Sequence, residues 1–311
     1  MTEATVQDAN AGPATGLAAA NDPLLRERTT VPTWRRLLRN RRIAIGVGVL
    51  LVMYLIGLLA PWLAPTDPNA QILLDRLKPP SAAHPLGTDS LGRDILSRAI
   101  WATRITLSVS LVAMLITIVV GATLGLIAGF LGGAVDMVLM RLTDMLMAFP
   151  IFILLITIVA IYGSSLSLII LFLGLTAWPL TARTIRAEVL SLKHRDFIDA
   201  ARINGASTAR ILWFHVLPGV LSVIVVAATL RVATVILIES GLSYFGLGVT
   251  PPTPTWGNMA SEGRLFLETA WWITTFPGIL IVVTVLAYNL LGDGLRDELD
   301  PRRRGQQAAK R

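Results

Sequence analysis

The stretch that decides the fold is RDFIDAARINGASTARILWFHVLPG, residues 195–219. It is polar and rich in small residues, turns on one central glycine and closes on Leu-Pro-Gly. Long apolar runs lie on both sides of it. A chain that interrupts itself in this way is offering a polar surface to something outside its apolar body.

That body follows from composition. Of 311 residues, 54% are hydrophobic and only 15% charged, and the mean hydropathy is +0.66. Soluble domains carry about 25% charge. A helical bilayer span takes about 20 mostly apolar residues. Six stretches qualify, at 43–64, 105–130, 134–162, 166–182, 216–247 and 276–291. The third and fifth are long enough to be tilted or broken. The reading is an all-α polytopic membrane protein with six transmembrane helices. Residues 1–42 form an N-terminal arm, partly disordered by composition and without the basic start and apolar core of a secretory signal. Residues 65–104 form an external segment, 105–292 the core with the polar segment 193–215 inside it, and 293–311 a tail.

Orientation follows from lysine and arginine near the span ends. Nineteen lie in the arm, the segment between spans four and five, and the tail; six lie in the two intervening segments. Both termini are therefore expected in the cytoplasm. The net charge of +7 is then a topology signal. No nucleic-acid reader motif accompanies it, so nucleic acid is not an expected partner; membrane lipid is.

The chain contains no cysteine, hence no disulfide framework and no thiolate site. It has no nucleophile elbow, phosphate loop or zinc-helix motif. No catalytic residue, metal ligand or bound cofactor is assigned. His84 with Asp89 and Asp94 could meet in the external segment, but ordinary loop polarity accounts for them. In the same segment Asp89 or Ser90 is expected to cap a short helix, with Leu91, Ile95, Leu96 and Ile100 on a face lying at the membrane surface.

Ionisable residues within spans are functional candidates. Arg141 and Asp144 are three apart in span three and read as a structural pair along one helix face. Asp136 lies near the interface, where solvation suffices for it. Arg231 and Glu239 are eight apart in span five. Two readings stay open for them: a polar translocation path or gate, or a self-satisfied pair that locks helices. Pro150 and Pro179 each remove a helix hydrogen bond and can kink a span.

The quoted segment reads as two short helices with a break. Asp196 is expected to cap the first, with Asp199 as its capping-box partner. Phe197, Ile198 and Ala201 then share a face. Gly205 supplies the left-handed residue that ends a helix. Ser207 caps the next helix, running to Pro218. Ala200, Ala201, Gly205 and Ala206 would let another surface approach closely. A surface-lying loop helix and a docking element both fit.

The spacing Asp199-Ala200-Ala201, three residues, Gly205, nine residues, His215-Val216-Leu217-Pro218 resembles the cytoplasmic signature of binding-protein-dependent ABC importer permeases. It departs with Asp for Glu and His215 for an isoleucine. HPLGTDSLGRDILSRAIWATR, ESGLSYFGLGVTPPTPTWGNMASEGR and NLLGDGLRDELDPR resemble the C-type permeases of dipeptide and oligopeptide importers. The resemblance implies a five-helix permease core behind one extra N-terminal helix, in the cytoplasmic (inner) membrane of a bacterium. It implies a second homologous permease, two cytoplasmic ATPase subunits holding ATP and Mg, and an external solute-binding protein. Residues Arg195, Asp196, Asp199, Ala200, Ala201, Gly205, Ala206 and Ser207 would form the coupling helix that docks on an ATPase. Peptides are the implied cargo, with nickel, glutathione or another small solute as the alternative. An ion-coupled secondary transporter is the rival from another class.

Overall fold

A computed structural model describes residues 40–299; the arm before residue 40 and the tail beyond 299 lie outside the described residues. Five helices are long and apolar enough to cross a bilayer. They are α1 (Arg41–Leu58), α3 (Ile95–Leu131), α6 (Leu166–Leu192), α8 (Thr208–Tyr244) and α10 (Trp272–Leu299). A sixth crossing exists if the bent pair α4 (Gly133–Ala148) and α5 (Ile151–Tyr162) counts as one. Short helices α2 (Ala60–Leu63), α7 (Asp196–Ile203) and α9 (Trp256–Gly263) lie between them.

Each boundary has a local cause. Asn40 caps α1 by accepting from the Arg42 N–H at 3.0 Å. Ser165 does the same for α6 through Leu168. Pro150 cannot continue α4, and the chain turns by 82° into α5. Pro179 lies inside α6 without breaking it. The neighbouring helix α3 is 37 residues long, about 55 Å. That exceeds the roughly 30 Å hydrocarbon layer, so its ends stand clear of the lipid. The expected surface helix is in fact the first turns of α3. Its cap is Asp94, which accepts from the Ser97 N–H at 2.8 Å, and not Asp89 or Ser90. Of the face assigned to the membrane surface, Ile95 is interior, 1% exposed in a core cluster with Trp256 and Trp272, whereas Leu96 and Ile100 are half-buried and Leu91 is exposed.

The bundle closes through glycine. On α3, a Cβ at Gly121 would fall 2.8 Å from Thr181 Cβ, at Gly125 2.5 Å from the Ala182 carbonyl, and at Gly129 2.8 Å from Val189 Cβ. From α6, Gly174 returns the contact against Ile116. Residue numbers rise together along both helices, so α3 and α6 run parallel. The α4–α5 pair carries the chain back between them. Helices α1 and α10 are antiparallel, with Gly46 against Ala287 and Gly294 against Ile43. Tyr54 and Tyr288 join hydroxyls at 2.6 Å across that seam.

If the α3–α6 seam sets the packing, Gly125→Leu should lose about 1–3 kcal/mol, the usual cost of overpacking. Gly48→Leu should be neutral, because a Cβ there meets nothing within 4 Å. Thermal unfolding of the two variants in detergent checks this; equal melting temperatures would overturn it.

Candidate functional site: the capped helix and the two ends of the bundle

Helix α7 hangs between the ends of α6 and α8. Arg195 is its N-cap, in extended conformation and without a side-chain cap bond. Asp196 is therefore the first helical residue and does not cap. Asp199 does not reach back to close a capping box; it accepts from Arg202 at 3.1 Å instead. Both acids still sit in the first turn, where they complement the helix dipole.

The other end follows the expectation closely. Gly205 has φ +77°. Its N–H donates to the Arg202 carbonyl at 2.9 Å, and the Ala206 N–H donates to the Ala201 carbonyl at 3.0 Å. Those two bonds make a Schellman closure. Ser207 then accepts from the Arg210 N–H at 3.3 Å and caps the next helix. That next helix is not a separate short element. It runs straight into span five as α8, with a π turn at Leu212–Val216.

Packing divides the segment into two faces. Ile198 is fully buried among Ile185, Val189, Leu192, Val216 and Val220, with Ala201 and Ala206 packed against the same cluster. Two of the eight residues assigned to docking therefore face inward. Arg195, Asp196, Asp199, Ala200, Gly205 and Ser207 are exposed. Phe197, expected on the Ile198 face, is 45% exposed, and Ile203 is 86% exposed. Arg202 lies over the Phe130 ring at 5.6 Å. His215 falls in the π turn, half-buried, with its Nδ1 lacking a hydrogen-bond partner among the described residues.

The span charges choose partners that periodicity did not indicate. Asp144 accepts from Arg183 at 2.5 Å, while Arg141 is exposed and takes no part. The expected Arg141–Asp144 pair is thus replaced by a link between α4 and α6. Asp136 is not merely solvated: it grips the Arg186 guanidinium with both oxygens. Nor do Arg231 and Glu239 pair with each other. Glu239 is fully buried and accepts from Ser243 at 2.7 Å. Arg231 points elsewhere, with an Nη2–Thr181 Oγ1 distance of 3.5 Å.

The opposite end of the bundle holds a group that the sequence reading did not assemble. Arg93 Nε donates to Asp89 at 2.5 Å and its Nη2 to Glu262 at 2.6 Å. Arg98 reaches the same two acids at 3.2 and 3.0 Å. Arg98 is 1% exposed and Asp89 fully buried. These four residues tie the segment before α3, and the first turn of α3 itself, to α9, across more than 160 positions of chain. Trp272 adds a bond from its ring N–H to the Thr88 carbonyl at 3.1 Å. His84 bonds Asp94 at 3.1 Å. Among the described residues no cluster fits a metal ion.

Long apolar helices, one bent pair and a capped polar helix at one end define a polytopic helical membrane protein. The chain belongs to the family described as binding-protein-dependent transport system inner membrane components, which matches residues 121–305. The N-terminal TM domain of oligopeptide transport permease C matches residues 32–80. The chain is an ABC importer permease of the peptide/dipeptide branch, a multi-pass inner-membrane protein. It is 39% identical to the di/tripeptide transport system permease of Pseudomonas aeruginosa, covering 92% of this chain and 96% of the relative. It is 41% identical to the glutathione transport system permease of Pectobacterium atrosepticum, covering 90% and 95%. Among solved structures, the MetNI methionine ABC transporter in its inward-facing form aligns with TM-score 0.54 at 20% identity. That alignment covers 66% of this chain and 97% of that one. The likeness shows the fold, and the family displaces the ion-coupled transporter.

The four-charge group predicts a contrast. Removing one partner of a buried ionic network costs about 3–5 kcal/mol, whereas a surface pair contributes at most about 1 kcal/mol. Arg98→Ala should therefore lower the melting temperature far more than Arg183→Ala, whose pair is 43% and 52% exposed. Burial holds the Glu262 carboxyl above its ordinary range, with Arg93 opposing. A raised carboxyl pKa means the folded state binds more protons through that window. The Glu262 contribution to stability should thus decline as pH rises through its raised pKa, and Glu262→Gln should flatten that slope in unfolding scans.

Proposed function

We propose that this subunit carries di- or oligopeptides across the membrane by alternating access, driven by partner ATPases acting on α7. In this reading both termini and α7 are cytoplasmic. A second homologous permease completes the pore. Two ATPase subunits bind ATP and Mg, and an external binding protein delivers cargo. Neither ATP nor Mg is held by this chain. The observation that carries the reading is the mounting of α7. Its inner face is keyed by Ile198 into the packed ends of α6 and α8, while its outer face is free. A helix closed at one end by a Schellman motif, with a capped helix following, bends little. A push on it is passed to α6, 27 residues long, and α8, 37 residues long.

The peptide branch supports peptide cargo. A 41%-identical relative named for glutathione supports a peptide-like solute as the second reading.

Gly205 gives the first test. A Cβ there meets nothing within 4 Å among the described residues, so a side chain is resisted by the left-handed backbone and by whatever docks outside. Asparagine tolerates that conformation. In the assembled complex, Gly205→Asn should retain coupled uptake. Gly205→Arg should cut uptake about tenfold or more while ATP hydrolysis persists, a loss of at least about 1.4 kcal/mol in coupling. Normal transport by Gly205→Arg would sink the docking assignment.

Orientation is tested separately. The chain has no cysteine, so single cysteines are clean reporters. Ile203→Cys should react with a membrane-impermeant maleimide only after permeabilisation of spheroplasts, and Leu265→Cys should react before it. The reverse pattern would invert the topology.

A further inference from the structure

Arg231 lies midway along the straight part of α8, within the apolar span. A cation at that depth is expensive unless it faces protein or water. It is half-buried, so part of the residue opens onto space that this subunit does not fill. Lipid is the wrong neighbour for it, which leaves the transport path or the second permease.

The acids that could neutralise it are engaged elsewhere. Asp144 is held by Arg183 and Asp136 by Arg186. Glu239 is two turns along the same helix, about 12 Å by helical rise, and hydrogen-bonds Ser243. Among the described residues no carboxylate lies within ion-pairing distance of Arg231, and its one side-chain hydrogen bond is the long one to Thr181 Oγ1, at 3.5 Å. A guanidinium carries five N–H donors in a fork suited to a carboxylate, so most of its donor capacity is unspent. Thr181 is 2% exposed and can steady one edge of the group. The residues one turn away along the same helix are Ala227, Ala228, Thr234 and Val235; the two alanines on the N-terminal side are small, and Val235 is buried.

We propose that Arg231 is a cargo-binding residue in the transport path, and that it takes a carboxylate of the passing solute, the free C-terminal carboxylate when the cargo is a peptide. The proposal rests on the peptide-import reading and adds the chemistry of one contact within it. Contact with Thr181 at the α3–α6 seam places the group where movement of α6 against α8 would present or withdraw it. Glu239, fully enclosed, makes no contact with cargo in this arrangement.

The test uses the complete importer in proteoliposomes, with its binding protein supplied. Initial uptake is measured for one peptide with a free C-terminus and for the same peptide amidated. The quantity read is the ratio of the two rates. The binding protein's own preference is common to all variants and cancels when ratios are compared. One lost charge-assisted contact should change the ratio about tenfold. Arg231→Gln should therefore bring the ratio about tenfold closer to that of a carboxylate-blind path. Arg231→Lys, which keeps the charge and loses the fork, should fall between, and it carries the test alone if the glutamine variant does not assemble. An unchanged ratio in a variant that assembles overturns the proposal. That includes equal slowing of both peptides, the result expected if Arg231 instead pairs with an acid on the second permease. If the wild-type importer moves neither peptide, the peptide reading falls and this contact with it.

Discussion

The parallel contact of α3 with α6 is the constraint on which the rest of the molecule depends. Inside a bilayer, apolar side chains gain little by leaving lipid for protein, so association relies on close van der Waals contact. Gly121, Gly125 and Gly129 recur every four residues along one face of α3 and admit the α6 backbone. Once α6 is seated, three consequences follow from its register. Arg183 and Arg186 point to the acids of α4. Thr181 lies beside Arg231 of α8. The C-terminal turn of α6 meets the start of α8, and Ile198 finds a ready-made socket for α7.

Much of this was legible in residue order. The spans declared themselves by length and apolarity. Pro150 marked the break in the third. Gly205 and Ser207 marked the end of one helix and the start of the next, because both roles depend on local backbone chemistry. What escaped was every choice of partner made across the chain. Asp144 has Arg141 within reach on its own helix, yet it bonds Arg183 on α6. Asp89 looked like a helix cap, but Arg93 and Arg98 recruit it and Asp94 takes the cap. Ile95 belonged to the pattern of a surface-lying helix, and tertiary packing turned it inward. Periodicity reports which face is apolar; it does not report what that face meets.

The polar segment around α7 shows the same division. Its C-terminal half follows from sequence nearly atom by atom. Its N-terminal half does not: the cap expected from Asp196 is replaced by an extended Arg195 that leads out of α6. The segment begins less as a free loop helix than as the continuation of a span that has left the membrane.

The two ends of the bundle also differ in how they feel dissolved ions. At one end Asp89, Arg93, Arg98 and Glu262 sum to no net charge, and three of the four are almost entirely enclosed. Such a group is little affected by counter-ions, which act over about 8–10 Å through solvent. At the other end the Arg183–Asp144 pair is about half exposed, and Arg186–Asp136 is partly open as well. Ionic strength therefore acts unequally on the ion pairs at the two ends. Salt screens the exposed pairs that join α4 to α6 far more than the enclosed group at the opposite end.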